Sequence, residues 1–118
     1  MSVTIDIKPG SYPNSINPRS KGKIPVAILS SMEFDALTEV DMESLTFGPT
    51  GDEESFAFCS CSPEDVNDDG YDDLVCNFYT QKAGFQCGDS EGILIGMTAD
   101  GALLEGSDSV RIVPSACR

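Results

Sequence analysis

The amino-acid sequence predicts an all-β fold, a single β-sandwich. Short apolar segments rich in Val, Ile, Phe and Tyr recur between clusters of Gly, Pro, Asn and Asp, which is the pattern of strands joined by turns. Helical signals are weak throughout. A chain of 118 residues with 40% apolar content is long enough for one hydrophobic core and short for two. We therefore expect residues 1–118 to form a single module.

The apolar segments give the expected strand positions in chain order. They predict strands near residues 3–8, 24–30, 45–47, 56–61, 74–80, 91–98 and 109–113, with a short strand at 102–105. The Asp100–Gly101 pair between two of these segments is a strong signal for a hairpin turn. About seven or eight strands in a chain of this length give the sandwich an immunoglobulin-like character.

Two segments do not follow the strand pattern. The segment 34–45 carries the best helical signal, with Asp41 as a candidate cap, although the β-branched Thr38 and Val40 favour irregular structure. The connection 8–23 is dense in Pro, Asn, Ser and Gly. We expect Asx turns and local hydrogen bonds to order it, and a flexible linker is the alternative.

The charge balance excludes several classes of function. The chain has 20 acidic and 7 basic residues, a net charge of −13, and no histidine. Such a charge repels phosphate backbones and anionic lipids, so we expect no nucleic-acid partner. The lack of histidine removes the commonest general base, and no nucleophile–base pair stands out, so we expect no enzyme. Cations are the favoured partners.

The beginning of the chain carries no targeting signal. The segment MSVTIDI has neither the basic nor the apolar region of a signal peptide, and no apolar run approaches the length of a membrane span. We expect no membrane insertion. Met1 and Ser2 look like the start of a piece taken from a longer protein.

Residues 64–76, EDVNDDGYDDLVC, contain six acidic side chains within ten positions. Numbered from Asp65, oxygen-bearing groups fall at alternating positions and a glycine stands at position six. This is the D-x-[DN]-x-[DN]-G start of a calcium loop, in which glycine lets the chain wrap around the ion. We predict a bound calcium ion as the cofactor, held by the side chains of Asp65, Asn67, Asp69 and Asp73 and by the carbonyl oxygen of Tyr71.

The surrounding sequence distinguishes this loop from an EF-hand. An EF-hand has a bidentate glutamate at position twelve, where this chain has Cys76 in a strand-like segment. The loop is therefore expected to close a β-hairpin, with Glu64, Asp68 and Asp72 facing water. A metal-free acidic turn and a magnesium site are the alternatives. The stretch DDGYD within the loop also matches the D-D-x-x-D pattern of prenyl-transfer enzymes. That pattern needs a helical cavity, which this chain cannot build.

Five cysteines suggest one or two disulfides and an oxidising compartment. A bridge from Cys76 to either Cys59 or Cys61 would cross the predicted hairpin, and Cys87 would then pair with Cys117. Buried free thiols and a four-cysteine zinc site are the alternatives.

Other polar residues have plainer explanations. A second metal site would draw on Asp89 and Glu91, on Asp6 or on Asp108, but each lies beside a turn, where an Asx hydrogen bond is the expected role. The bases of one loop region are expected to pair with nearby acids; they are Lys8, Arg19, Lys21 and Lys23.

The sequence resembles known calcium loops and one wider module. The segment DVNDDGYDDL resembles the hairpin calcium loops of integrin-type FG-GAP repeats, and its first six positions are similar to dockerin and thrombospondin type 3 loops. Together with IDIKPGSYPNSINPRSKGKIPVAIL, CGDSEGILIG and GSDSVRIV, it resembles a small module found near the ends of secreted or surface proteins of bacteria and archaea. The resemblance implies calcium and an extracellular or cell-surface location, and no activity. The thiols Cys59, Cys61 and Cys76 depart from that pattern.

These observations favour a non-catalytic, calcium-stabilised structural or adhesion module of a larger secreted or surface protein. Its partners would be the calcium ion, neighbouring domains of the parent protein or a surface glycan. The alternative is a calcium-dependent carbohydrate-binding module. Sugar-binding platforms use exposed aromatic rings, and the lack of Trp in this chain weakens that alternative. The tyrosines that could serve in such a platform are Tyr12, Tyr71 and Tyr79.

Overall fold

A computed structural model describes residues 1–60 and 62–113, which form nine β-strands and two four-residue helices. The strands are β1 (Ile5–Ile7), β2 (Ser15–Ile16), β3 (Lys23–Ile28), β4 (Val40–Gly48), β5 (Phe56–Cys59), β6 (Leu74–Tyr79), β7 (Glu91–Thr98), β8 (Leu103–Ser109) and β9 (Arg111–Ile112). The helices are α1 (Ala36–Glu39) and α2 (Thr80–Ala83). The predicted all-β class is confirmed.

The strands form two antiparallel sheets that face each other. One sheet has the order β1-β3-β6-β5 and the other has the order β4-β7-β8, while β2 and β9 form a separate parallel pair. If the seven strands of the two main sheets are lettered A to G along the chain, these orders are A-B-E-D and C-F-G. That is the arrangement of a constant-type immunoglobulin domain, so the predicted immunoglobulin-like character is confirmed.

The core lies between the two sheets because the strands alternate apolar and polar side chains. In β6, Leu74, Cys76 and Phe78 are buried and the residues between them are not. The ring of Phe78 meets the ring of Phe47 from β4 across the interface, with 5.1 Å between their centroids. A Cβ atom at Gly92 would lie 3.0 Å from the Phe47 ring, so this close approach requires glycine.

Half of the segment 34–45, which carries the best helical signal, is strand. Only Ala36–Glu39 is helical, and the side chain of Asp35 caps it by accepting a hydrogen bond from the Leu37 amide. The prediction of Asp41 as a cap is wrong, because β4 already begins at Val40 and pairs with β7. No helix within the described residues combines the length and apolar character needed to cross a membrane.

The connection 8–23 is ordered, as expected, by side-chain hydrogen bonds to nearby backbone amides. Asn17 Oδ1 accepts a hydrogen bond of 3.0 Å from the Arg19 amide, and Ser20 Oγ accepts one of 3.1 Å from the Gly22 amide. The buried Asn14 donates to the Ser109 carbonyl at 2.9 Å. The first two bonds form turns within the segment and the Asn14 bond ties it to β8, so the flexible-linker alternative is wrong.

Candidate metal centre

The acidic segment forms the long connection between β5 and β6. Two contacts fix the base of this connection. Cys59 and Cys76 are directly paired in the sheet and joined by a disulfide. Closer to the loop, the Asp73 amide donates to the Glu64 carbonyl at 2.8 Å. The predicted hairpin is therefore present, and its connection is closed off as a separate loop.

Three carboxylates of this loop converge. Oxygens from Asp65, Asp69 and Asp73 all lie within 4.8 Å of one another, which is an arrangement that can hold a metal ion. Asp73 is 1% exposed, whereas Asp69 is exposed and Asp65 is partly buried. The cluster thus has a buried wall and an open side. This geometry suits an ion that enters from solvent.

Asn67 adds an amide group to the same cluster. One terminal atom of this amide lies 3.0 Å from both Asp65 Oδ1 and Asp69 Oδ1. If that atom is the nitrogen, it donates to both carboxylates; if it is the oxygen, three oxygens face each other with no proton between them. The 3.0 Å spacing fits hydrogen bonds from the amide nitrogen, and it also matches the separation of about 3 Å between oxygens that share one calcium ion at 2.3–2.6 Å.

The loop wraps around Asp65 through backbone amides. Asp65 Oδ2 accepts from the Gly70 amide at 2.8 Å, and Asp65 Oδ1 accepts from the Asp69 amide at 3.2 Å. Gly70 has a φ of 90°, which side-chain-bearing residues rarely adopt, and this explains the glycine at position six. The Gly70 hydrogen bond is the main reason that the pKa of Asp65 lies below its usual value. Asp65 therefore stays ionised and available to a cation in mildly acidic solution.

Asp73 connects the loop to the rest of the sandwich. Its Oδ2 accepts from the Val66 amide at 3.0 Å, and its Oδ1 accepts from the Ser30 amide at 2.8 Å. The hydroxyl of Ser30 in turn accepts from the Ala36 amide at 2.9 Å, at the start of α1. Residues 64–73, which we call the metal loop, are therefore hydrogen-bonded to the β3–β4 connection.

The charge of the cluster lacks an internal partner. Among the described residues, no lysine or arginine forms an ion pair with any of the three carboxylates. Burying the negative charge of a carboxylate costs free energy that hydrogen bonds and a nearby positive charge offset. A bound cation would supply that charge.

The predicted ligands are largely brought together. Asp65, Asn67, Asp69 and Asp73 meet in the loop. Tyr71 donates its amide to Asp69 Oδ1 at 3.0 Å, and its carbonyl oxygen as a ligand stays a prediction. The three acids expected to face water are exposed; they are Glu64, Asp68 and Asp72.

The sequence reasoning missed Ser30. It lies 43 residues from Asp73, and only the pairing of β3 with β6 brings the two together.

The cysteine pairing is partly resolved. Cys76 pairs with Cys59, so the expected bridge across the hairpin is confirmed and the four-cysteine zinc alternative is wrong. Cys87 is also disulfide-bonded. Its expected partner Cys117, and Cys61, lie outside the described residues.

Other acidic residues proposed for a second metal site accept hydrogen bonds from backbone amides. Asp89 Oδ2 accepts from the Gln86 amide at 2.7 Å, and Asp108 Oδ2 accepts from the Ile7 amide at 3.0 Å. Asp89 takes the local role expected beside a turn, whereas Asp108 lies within β8 and accepts from the amide of a residue in β1. Burial, together with the nearby charge of Asp108, raises the pKa of Asp6. Within the described residues, the loop cluster is the one group of three or more acids that can hold a metal ion.

Comparison with known proteins adds no family assignment. The chain matches no model of a protein family and no curated protein.

Proposed function

We propose that this chain is a non-catalytic calcium-binding module of a larger secreted or cell-surface protein, in which the ion stabilises the β5–β6 connection. The convergence of Asp65, Asp69 and Asp73 carries the proposal, because their carboxylate oxygens gather beside the Asn67 amide with no basic partner among the described residues. The module serves as a structural or adhesion element next to other domains of the parent protein.

The donor set favours calcium over other metals. All four side chains offer hard oxygen atoms, and the Tyr71 carbonyl would add a fifth. Calcium takes six to eight such ligands in flexible geometry, whereas magnesium needs stricter octahedral geometry and keeps several waters. Transition metals favour imidazole or thiolate ligands, and this chain has no histidine while Cys59 and Cys76 are bonded to each other.

The surroundings of the loop favour a structural ion over a regulatory one. Strand β6 begins at Leu74, directly after Asp73, so the loop is followed by sheet and not by a helix that can swing. The disulfide and the Glu64–Asp73 pairing already restrict both ends of the loop. Calcium at a hundred times its dissociation constant would add about 2.7 kcal/mol to the free energy of unfolding.

The disulfides support a location outside the cytosol. Such bonds persist mainly in oxidising environments such as the cell exterior. Calcium is abundant there, and extracellular modules commonly bind it with dissociation constants of about 10⁻⁴–10⁻³ M. A site that binds calcium only weakly is therefore sufficient to hold a structural ion outside the cell.

Calorimetric titration of the chain with calcium tests the site. We expect one ion per chain, and we expect Asp69→Asn to weaken binding at least tenfold because it removes one charge from the shell. The matched control is Asp72→Asn, which removes an exposed charge from the same loop. The proposal fails if calcium does not bind, or if both variants weaken binding equally, since equal loss would indicate diffuse attraction to an acidic loop.

A further inference from the structure

An aromatic and basic surface lies on the outer side of the sheet that contains β6. It consists of four side chains, which we call the Lys–aromatic surface: Lys23, Phe58, Tyr79 and Lys82. Lys23 Nζ lies 5.3 Å from the centre of the Tyr79 ring and 6.0 Å from that of Phe58. Lys82 Nζ lies 5.1 Å from the Tyr79 ring centre. The four side chains therefore form one continuous patch.

Both rings of this surface are open to solvent. Phe58 is 51% exposed and Tyr79 is 39% exposed. Phe58 faces outward because the pairing of β5 with β6 shifts register between Phe56 and Phe58. Phe56 consequently packs inward against Phe78, with ring centres 5.9 Å apart, while Phe58 turns to the opposite face. Two exposed rings joined through the same lysine form a patch that suits a binding role.

The lysines of the surface keep their charges available. We expected Lys23 to pair with a nearby acid, but neither Lys23 nor Lys82 forms an ion pair among the described residues. Aromatic rings hold these ammonium groups instead, through contacts that contribute about 0.5–1 kcal/mol at exposed sites. An incoming carboxylate can therefore engage them without first displacing an acidic side chain.

Polar groups border the surface on one side. A cavity of about 150 Å³ adjoins Tyr79 and Lys82, and its other lining residues are Ser20, Lys21, Gly22 and Gln81. Hydroxyl, amide and ammonium groups thus stand beside exposed rings. This combination provides stacking, charge and hydrogen bonding within one site.

We propose that the Lys–aromatic surface binds a short acidic sugar, such as a uronate-bearing oligosaccharide. The Phe58 ring stacks against the apolar face of a sugar ring, and Lys23 and Lys82 bind the carboxylate. Ser20 and Gln81 are placed to hydrogen-bond hydroxyl groups. This inference goes beyond the calcium proposal and does not depend on it, since the surface shares no residue with the metal loop.

The charge distribution explains why a short ligand suits the surface. Strand β6 runs from the metal loop to Tyr79, and its six residues span about 17 Å at roughly 3.3 Å per residue. That distance is about twice the Debye length of roughly 8 Å at physiological ionic strength. A short ligand therefore responds to the local lysines, whereas a long polyanion also meets the repulsion of the −13 chain. Lysine is depleted in protein–protein interfaces, which disfavours a protein partner.

Titration with trigalacturonate in the presence of a calcium chelator tests this inference. Chelation removes any calcium bridge between sugar and protein, so the result is separate from the calcium proposal. We expect binding to trigalacturonate and none to the neutral maltotriose. Phe58→Leu and the double variant Lys23→Gln/Lys82→Gln should each weaken binding at least about tenfold. The matched control, Arg111→Gln, removes one exposed base outside the surface and should bind normally.

Several results would overturn the inference. They are no binding to trigalacturonate, equal binding to maltotriose, or unchanged binding by the Phe58 and lysine variants. Equal binding of a short glutamate peptide would show that the surface recognises any anion, which also contradicts a sugar site. Melting curves of the variants establish that they are folded, which is expected because the substituted side chains point away from the core.

Discussion

Asp73 has two roles in the candidate metal centre. It belongs to the cluster that can hold an ion, and its oxygens also accept hydrogen bonds from the Ser30 and Val66 amides. Among the described residues, the other cluster acids, Asp65 and Asp69, accept hydrogen bonds only from within the loop. Asp73 is therefore the residue through which ion binding affects the sandwich.

Replacement of Asp73 by alanine should destabilise the chain even without calcium. The amides of Ser30 and Val66 would lose their acceptor, at a cost of about 1–3 kcal/mol for each buried donor left unpaired. Urea denaturation in chelator measures the change, with Asp72→Ala as the exposed control. Unchanged stability of Asp73→Ala in chelator would limit Asp73 to a role in ion binding.

Asp6 should weaken the fold at neutral pH. Its pKa is raised by burial and by the charge of Asp108, so the folded chain holds the Asp6 proton more tightly than the unfolded chain does. Stability is therefore lost as the pH rises from the ordinary value of 3.8 through the raised one. Asp6→Asn should stabilise the chain at pH 7 by less than about 1 kcal/mol.

The stabilisation by Asp6→Asn should shrink as the pH falls towards 3.8, because the carboxyl group of the original chain then becomes neutral. Denaturation of both proteins across this pH range gives the comparison. A variant that is less stable at pH 7, or equally stabilised at every pH, would contradict the assigned cause.

At the level of elements, the β5–β6 hairpin combines a disulfide with the metal loop. The disulfide joins residues 17 apart and encloses the whole acidic segment. A bridge that closes a loop of about this size contributes roughly 3 kcal/mol by restricting the unfolded chain. It also restricts the loop before an ion binds, so less chain entropy is lost on binding.

The double variant Cys59→Ala/Cys76→Ala should lower both stability and calcium affinity. We expect a loss of about 3 kcal/mol in the free energy of unfolding. Calcium should still bind, but more weakly, because the ion must then order a freer loop. Denaturation and calorimetric titration of the same variant measure the two effects. Unchanged calcium affinity would show that the disulfide does not preorganise the site.

The elements also show what the sequence can and cannot predict. Local patterns predicted the alternating ligands, the glycine of the loop and the main strands. The extent of β4 was not predicted, because its first half is fixed by pairing with β7 and not by local preference. The outward direction of Phe58 depends on the register shift against β6, and strict alternation would place it on the same face as Phe56. Such features arise from contacts distant in sequence.

At the level of the whole molecule, charge is unevenly distributed. All six bases within the described residues belong to the connection 8–23 or to strands and helices near it; they are Lys8, Arg19, Lys21, Lys23, Lys82 and Arg111. The metal loop at the other end of β6 contains six acids between residues 64 and 73 and no base. The two ends of β6 thus present opposite charges to solvent, and each carries one of our two proposed binding sites.

The thermal stability of the whole chain tests whether the loop holds a structural calcium ion, because such an ion must stabilise the folded state. We predict that calcium at a hundred times its dissociation constant raises the melting temperature, relative to chelator, by on the order of 10 °C. Sodium chloride at equal ionic strength controls for screening and should produce a smaller rise. Identical melting temperatures in calcium and in chelator would contradict the account.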